Sequence, residues 1–182
     1  KMTNELSNEI TQLLNKKSSV DFLNAAQSFV ELLEKTNLED KEFFKLANVT
    51  LSQLYTTGLQ LEEVELIYSG PDYECIKSDE ELFENHNKVQ IGNLGEDVFY
   101  REIFDPINDK TDEPVQGWLV DDFADIYRDL KIELEKIKLG TNDAVEDAIW
   151  QLKFGFYHHW GNHCINAMRA LHFLWYDGKI AM

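Results

Sequence analysis

The chain has 182 residues, with 34 Asp and Glu against 17 Lys and Arg, and a formal charge of −17 at pH 7. Phosphate backbones and anionic bilayers select dense basic faces, so this balance argues against nucleic-acid and membrane-surface partners. Apolar residues make up 43% and aromatic residues 12%, a globular composition, and a chain of this length buries roughly 70% of its unfolded surface without a disulfide or metal staple.

Three helices are expected over 1–58. The first carries Glu5, Ile10, Leu13 and Leu14 and ends at Lys16 and Lys17, which suit a negative helix C-terminus. The stretch from Lys1 to Leu14 is amphipathic and carries acids, so it does not read as a signal peptide. Ser18 or Ser19 is placed to cap a second helix, whose stripe of Phe22, Leu23, Ala26, Phe29, Val30 and Leu33 has the spacing of one buried face. Asn37 is placed to cap a third, with Phe43, Phe44, Ala47, Leu51 and Leu54 inside and Gly58 as its stop.

Residues 59–113 form an irregular middle segment. Gly70-Pro71 marks a turn, and Ser78 with Glu81 is a capping-box start for a helix toward Val89. Gly92 and Gly95 interrupt the pattern. Phe99, Tyr100, Ile103 and Phe104 form an apolar cluster that ends before Asp105-Pro106, because the residue before proline resists helical geometry. Residues 105–113 read as an acidic loop.

Residues 114–182 read as a C-terminal helix pair. Pro114 fits the first position of a helix that runs to about Lys138, and Gly140 closes it. Its core stripe is Leu119, Phe123, Ile126, Leu130, Leu134 and Ile137. Thr141 is placed to cap the last segment, with Asp143, Glu146 and Asp147 where a helix dipole favours acids. As one straight helix, Thr141 to Asp177 would span roughly 55 Å, more than the diameter of about 40 Å expected for such a domain. A bend or break is therefore expected near Gly155 or Gly161, or else a helix end that projects. Its apolar arc is wide: Ile149, Leu152, Phe156, Trp160, Ala167, Leu171 and Leu174 at the centre, with Trp150, Tyr157, Met168 and Trp175 to one side. Such a helix is central in a bundle or half buried in a dimer. No strand alternation of any length and no internal repeat are evident. The expected fold is one all-α domain over 1–182, a bundle of six or seven helices.

Two constellations carry chemistry. Asp122, Asp125 and Asp129 share one border of the core stripe beside Trp118, with Asp121 further out. Like charges half buried at such a border raise one another's proton affinity unless a cation or basic partner intervenes; Arg128 and Lys131 could be that partner. Asp121 to Asp125 also spells D-D-x-x-D, the magnesium motif of isoprenoid synthases, but the second acidic motif those enzymes need is missing. The other constellation is His158-His159-Trp160-Gly161-Asn162-His163. His159 and His163 are i, i+4 neighbours at the margin of the core arc, half of a metal site that a carboxylate helix completes. The four expected ligands are Asp122, Asp125, His159 and His163, for zinc, manganese or iron. The same residues are explained without a metal as core-edge histidines bonded to Asp122 or Asp125. Both readings require a carboxylate–histidine contact. Neither the Glu-x-x-His repeats of di-iron bundles nor H-E-x-x-H occurs, and no phosphate loop or G-x-S-x-G is present. Cys75 and Cys164 lie far apart, and reduced thiols in a cytoplasmic protein are expected, with Cys164 packed rather than reactive.

The stretch Gly117 to Lys131, then Trp150, His159-Trp160-Gly161-x-His163 and Ala167-Met168-Arg169-Ala170-Leu171-His172, resembles a bacterial family catalogued as the domain of unknown function 5063, and Phe99 to Pro106 is similar to it too. The resemblance covers most of the chain and implies a small bacterial helical protein. It implies no activity, cofactor or partner.

The expectation is therefore a cytoplasmic helical protein with an acidic surface that serves as a binding or regulatory module. Its partner is a protein or a second copy, met through the aromatic C-terminal helix. The alternative is a metal-binding protein or metal-dependent hydrolase that uses a crevice formed by Trp118, Asp122, Asp125, Asp129, His159, Trp160 and His163.

Overall fold

The computed structural model describes residues 5–35, 38–70, 87–103, 107 and 113–180. Among these, the elements in chain order are α1 (Asn8–Asn15), α2 (Lys17–Glu34), α3 (Asp40–Gln60), α4 (Asn87–Gly92), a 3-10 turn (Gly95–Val98), β1 (Phe99–Glu102), β2 (Val115–Trp118), α5 (Leu119–Lys138), α6 (Asn142–His158) and α7 (Trp160–Tyr176). The fold is largely helical, as expected. None of these helices is long and apolar enough to cross a membrane.

Ser7 caps α1 by accepting the Ile10 N–H, and its own N–H donates to Asn142, which ties α1 to the start of α6. The chain turns at Lys16, so α2 begins at Lys17, and Ser18 and Ser19 lie inside the helix rather than capping it. Asn37 lies outside the described residues, and α3 opens after Glu39. The predicted stripes of α2 and α3 are buried apart from Leu23, which is half buried. Their aromatic rings join those of the C-terminal half: Phe29 and Phe43 against Phe123, and Phe22 against Trp160. Gly58 does not stop α3. A Cβ there would fall 2.7 Å from both Phe156 and Trp160, so glycine is what lets α3 approach the end of α6. The buried Lys153 ammonium donates to the Gly58 and Leu59 carbonyls at that helix end.

Of the middle segment, Pro71, Ser78, Glu81, Phe104, Asp105 and Pro106 lie outside the described residues. The predicted apolar cluster is not one: Phe99 and Ile103 are exposed. Phe99–Glu102 instead pairs antiparallel with Val115–Trp118, in the register Phe99↔Trp118 and Tyr100↔Gly117. This hairpin sets the start of α5 at Leu119 rather than Pro114. Too short to display alternation, it is invisible to a period-2 reading. Gly140, at φ +65, closes α5 as expected.

The C-terminal pair is a trio, because the long last segment breaks at His159. That residue leaves helical geometry at φ −147, ψ −89, between α6 and α7. Helix α5 packs on both, and its polar face forms a continuous seam against them: Asp122, Asp125, Asp129, Glu133 and Lys136. At the lower end Lys136 bonds Asp147 of α6 at 2.7 Å and Glu133 at 2.9 Å, all three buried. Glu146, expected only as a dipole acid, is buried too. One of its oxygens accepts the N–H groups of Ile67, Tyr68 and Ser69 at 2.7–2.9 Å, which pins the strap after α3 to α6.

Burial pushes the Glu133 carboxyl up to about 7 against the hydrogen bond from Lys136. The folded chain then holds a proton that the unfolded chain, with its ordinary value of 4.5, releases. Stability therefore falls as pH rises between those values, by an amount on the order of 3 kcal/mol. Urea unfolding at pH 5 and pH 8 should show this decline in the wild type, and Glu133→Gln should flatten it. An unchanged slope in the variant would locate the effect elsewhere.

Candidate functional site

In the first turn of α5 the polar seam meets α7. Asp122 is almost fully buried, and its carboxylate accepts the Tyr100 hydroxyl at 2.6 Å on one oxygen and contacts His163 Nδ1 at 2.8 Å on the other. Two turns on, Asp129 Oδ2 lies 2.6 Å from His159 Nδ1. Asp125 sits between them. Its Oδ2 is 3.3 Å from His163 Nε2 and 3.9 Å from His159 Nε2, while its Oδ1 accepts from Arg128. The two imidazole rings stand 4.9 Å apart at 74°. One atom each from Asp125, His159 and His163 lies within 4.8 Å of the other two.

Glycines make this geometry available. Tyr100 lies across from Gly117 in the hairpin, and a Cβ at Gly117 would fall 2.4 Å from its ring. Without that side chain the ring passes over β2 and carries its hydroxyl to Asp122. Glu102, next inward on the same strand, accepts from Asn166 of α7 at 2.6 Å, so the hairpin grips both helices of the site. At Gly155 a Cβ would meet the Trp160 ring at 2.7 Å, and at Gly161 it would meet the Phe156 carbonyl oxygen at 2.1 Å. The helix break thus packs tightly enough to bring His159 and His163 onto the seam.

The electrostatics follow from burial and pairing. The Asp122 contact raises the proton affinity of His163, with the Asp125 and Asp121 charges adding and burial opposing. Burial raises Asp122 itself, against the hydrogen bonds from His163 and Tyr100. Burial, then the charge of Asp122, pushes the Tyr100 phenol far above its ordinary range, so it stays a donor.

Of the residues expected in the crevice, Asp122, Asp125, Asp129, His159 and His163 are brought together. Trp160 is not: its indole is in the core, donating to the Leu152 carbonyl at 3.0 Å. Trp118 ends β2 and stacks on Phe99, half exposed. Asp122, expected as a ligand, has both oxygens engaged and stands behind His163. Cys164 is a packed thiol, donating to the Leu51 carbonyl, and burial lifts it to about 12. Tyr100 was not foreseen, because a four-residue strand gives no periodic signal. The Gly117-Trp118 step before a helix was the available hint.

Comparison with known proteins adds a family and a fold neighbour. No curated protein matches. The crystal structure of protein BF1032 from Bacteroides fragilis is similar to this chain, with TM-score 0.73 and 26% identity, covering 88% of this chain and 94% of that one. A family model described as a domain of unknown function, DUF5063, matches residues 14–177. That span takes in every element from α2 to α7, hairpin and seam included, and the chain belongs to the DUF5063 family.

Proposed function

We propose that the chain binds a divalent metal ion through His159, His163 and Asp125 and uses it to activate a water molecule. The observation that carries this is that each of the three groups has its other polar atom already held. Asp129 holds His159 Nδ1, Asp122 holds His163 Nδ1, and Arg128 holds the second oxygen of Asp125. Carboxylates behind the ligating imidazoles fix the tautomer and aim Nε2 forward, an arrangement typical of metal-bound histidine. Ligands about 2.1 Å from a tetrahedral ion stand about 3.4 Å from one another. The distances of 3.3 and 3.9 Å are close to that without a metal. Three aspartates against one guanidinium leave an excess negative charge that a divalent cation cancels. Three protein ligands leave a position open, and the His159 side chain is 42% exposed, so solvent reaches that side. Two histidines and one carboxylate suit zinc, manganese or iron. Metal-bound water is acidic enough to supply hydroxide near neutral pH.

Protein purified without an affinity tag or chelator should carry close to one equivalent of zinc, manganese or iron by elemental mass spectrometry. His163→Ala and Asp125→Ala should abolish it, and Asp129→Asn should weaken binding about 10–100-fold. Because the metal displaces a proton that Asp122 strengthens on His163, affinity should fall as pH falls. A wild type without metal, whose melting temperature does not move on adding Zn²⁺, Mn²⁺ or Fe²⁺, would leave an Asp–His hydrogen-bond network that fastens α7 to α5. His163→Ala would then lower the melting temperature regardless of chelator.

A further inference from the structure

We infer that the groove between α3 and α7, on the opposite side of α7 from the Asp–His cluster, binds a small organic anion in which a phosphate or carboxylate is joined to a planar ring. Histidines 163 and 172 are nine residues apart, about half a turn in angle, so the two sites are independent. The groove holds about 730 Å³, within the range of small-ligand sites.

Its sign is the first argument. The chain has two acids for every base, yet no Asp or Glu lines this groove, whereas Lys41 and Lys45 do. Lys16, Lys131, Lys136, Lys138 and Lys179 each pair with a carboxylate within 3.4 Å. Lys41 and Lys45, like Lys35 and Lys153, pair with no carboxylate among the described residues. Of the acids nearest in sequence, Asp40 is engaged by Gln90 and Asn93, and Glu42, three residues before Lys45, is exposed and forms no ion pair with either lysine among the described residues. Lysines at i, i+4 are neighbours on one helix face, so both ammonium groups reach a single anionic centre.

The shape is the second argument. Trp175 of α7 lines the groove with its side chain half buried, and Val49, 47% exposed, adds apolar surface. A ring stacked there places its anionic substituent between the ammonium groups. Asn48, Ser52 and Gln53 continue the groove with polar groups, so it accepts a ligand longer than the ring. Helices α3 and α7 border this groove, which is open to solvent on its outer side.

The test uses AMP and benzoate as probes of the two anion types, with adenosine and inorganic phosphate as partial ligands. Binding is followed by calorimetry and by tryptophan fluorescence, with Trp175→Phe to assign the signal. AMP or benzoate should bind saturably, and adenosine or phosphate alone at least about tenfold more weakly. Lys41→Gln/Lys45→Gln should weaken binding about tenfold or more, without a change in melting temperature, because both side chains are exposed. Lys35→Gln, a matched loss of charge elsewhere, should leave binding unchanged. The proposal is overturned if neither AMP nor benzoate binds, if the double variant binds as the wild type does, or if phosphate alone matches AMP. It is equally overturned if the double variant instead abolishes a salt-sensitive dimer in sedimentation and neither probe binds.

Discussion

Gly161→Ala should lower the melting temperature by about 6–12 °C and weaken metal binding in the same variant. The added Cβ would lie 2.1 Å from the Phe156 carbonyl oxygen and 3.0 Å from its carbon. These are backbone atoms at the end of α6, so no side chain can rotate away. Helix α7 must move outward, and overpacking of this kind costs about 3 kcal/mol or more. For a chain of this length each kcal/mol is worth about 2–4 °C. Movement of α7 also carries His159 and His163, on either side of Gly161, away from Asp129 and Asp122. Gly92→Ala is the control: its Cβ meets nothing within 4 Å and φ is not positive, so the melting temperature should barely change. Thermal unfolding followed by circular dichroism, with and without added metal, checks both. A Gly161→Ala protein as stable as the wild type would mean that the two helices are not held this close.

Lys136→Met should cost a further large amount, about 3–5 kcal/mol at pH 8. Lys136, Glu133 and Asp147 are all buried, and the lysine is the cation between the two carboxylates. Removing one partner from a buried ionic group leaves the others uncompensated. The loss should shrink at pH 5, where Glu133, already lifted to about 7 by burial, takes up a proton. Replacing all three together, Glu133→Leu/Lys136→Met/Asp147→Leu, should recover most of the stability, since an apolar patch of similar volume removes the desolvation cost as well as the attraction. Denaturant unfolding at both pH values separates these cases. An equal loss for the single and triple variants would show that lysine packing, not charge, is what matters.

The parts of this fold that were legible in the sequence are those with a long helical period. The stripes of α2, α3 and α5 and the centre of the last apolar arc have 3.6-residue spacing over several turns, and the structure buries them apart from the half-buried Leu23 and Ile137. Length required the last segment either to break or to project, and the structure breaks it at His159. The two glycines that seemed to mark it act instead by close packing on either side. Short elements were lost: the hairpin has four residues per strand, below the length at which alternation can be seen. Within the site, the shared face of Asp122, Asp125 and Asp129 and the i, i+4 histidines could be read from helical angle. Tyr100 and the division of labour among the aspartates could not. Which carboxylate faces a ring nitrogen depends on the rotation of α7 against α5, which is a tertiary quantity.

The polar seam of α5 also acts as a ruler. An apolar interface tolerates a helix sliding by one turn, about 5.4 Å, because one Leu replaces another. Here such a slide would put Lys136 out of reach of Asp147, strand Asp122 without Tyr100 or His163, and offer Asp125 to the ring nitrogen that Asp129 now meets. Every misdocked arrangement of α5 on α6 and α7 buries a charge without its partner, and only one register satisfies them all. The seam therefore sets which of many compact packings this aromatic-rich chain adopts, whatever net stability the individual pairs contribute.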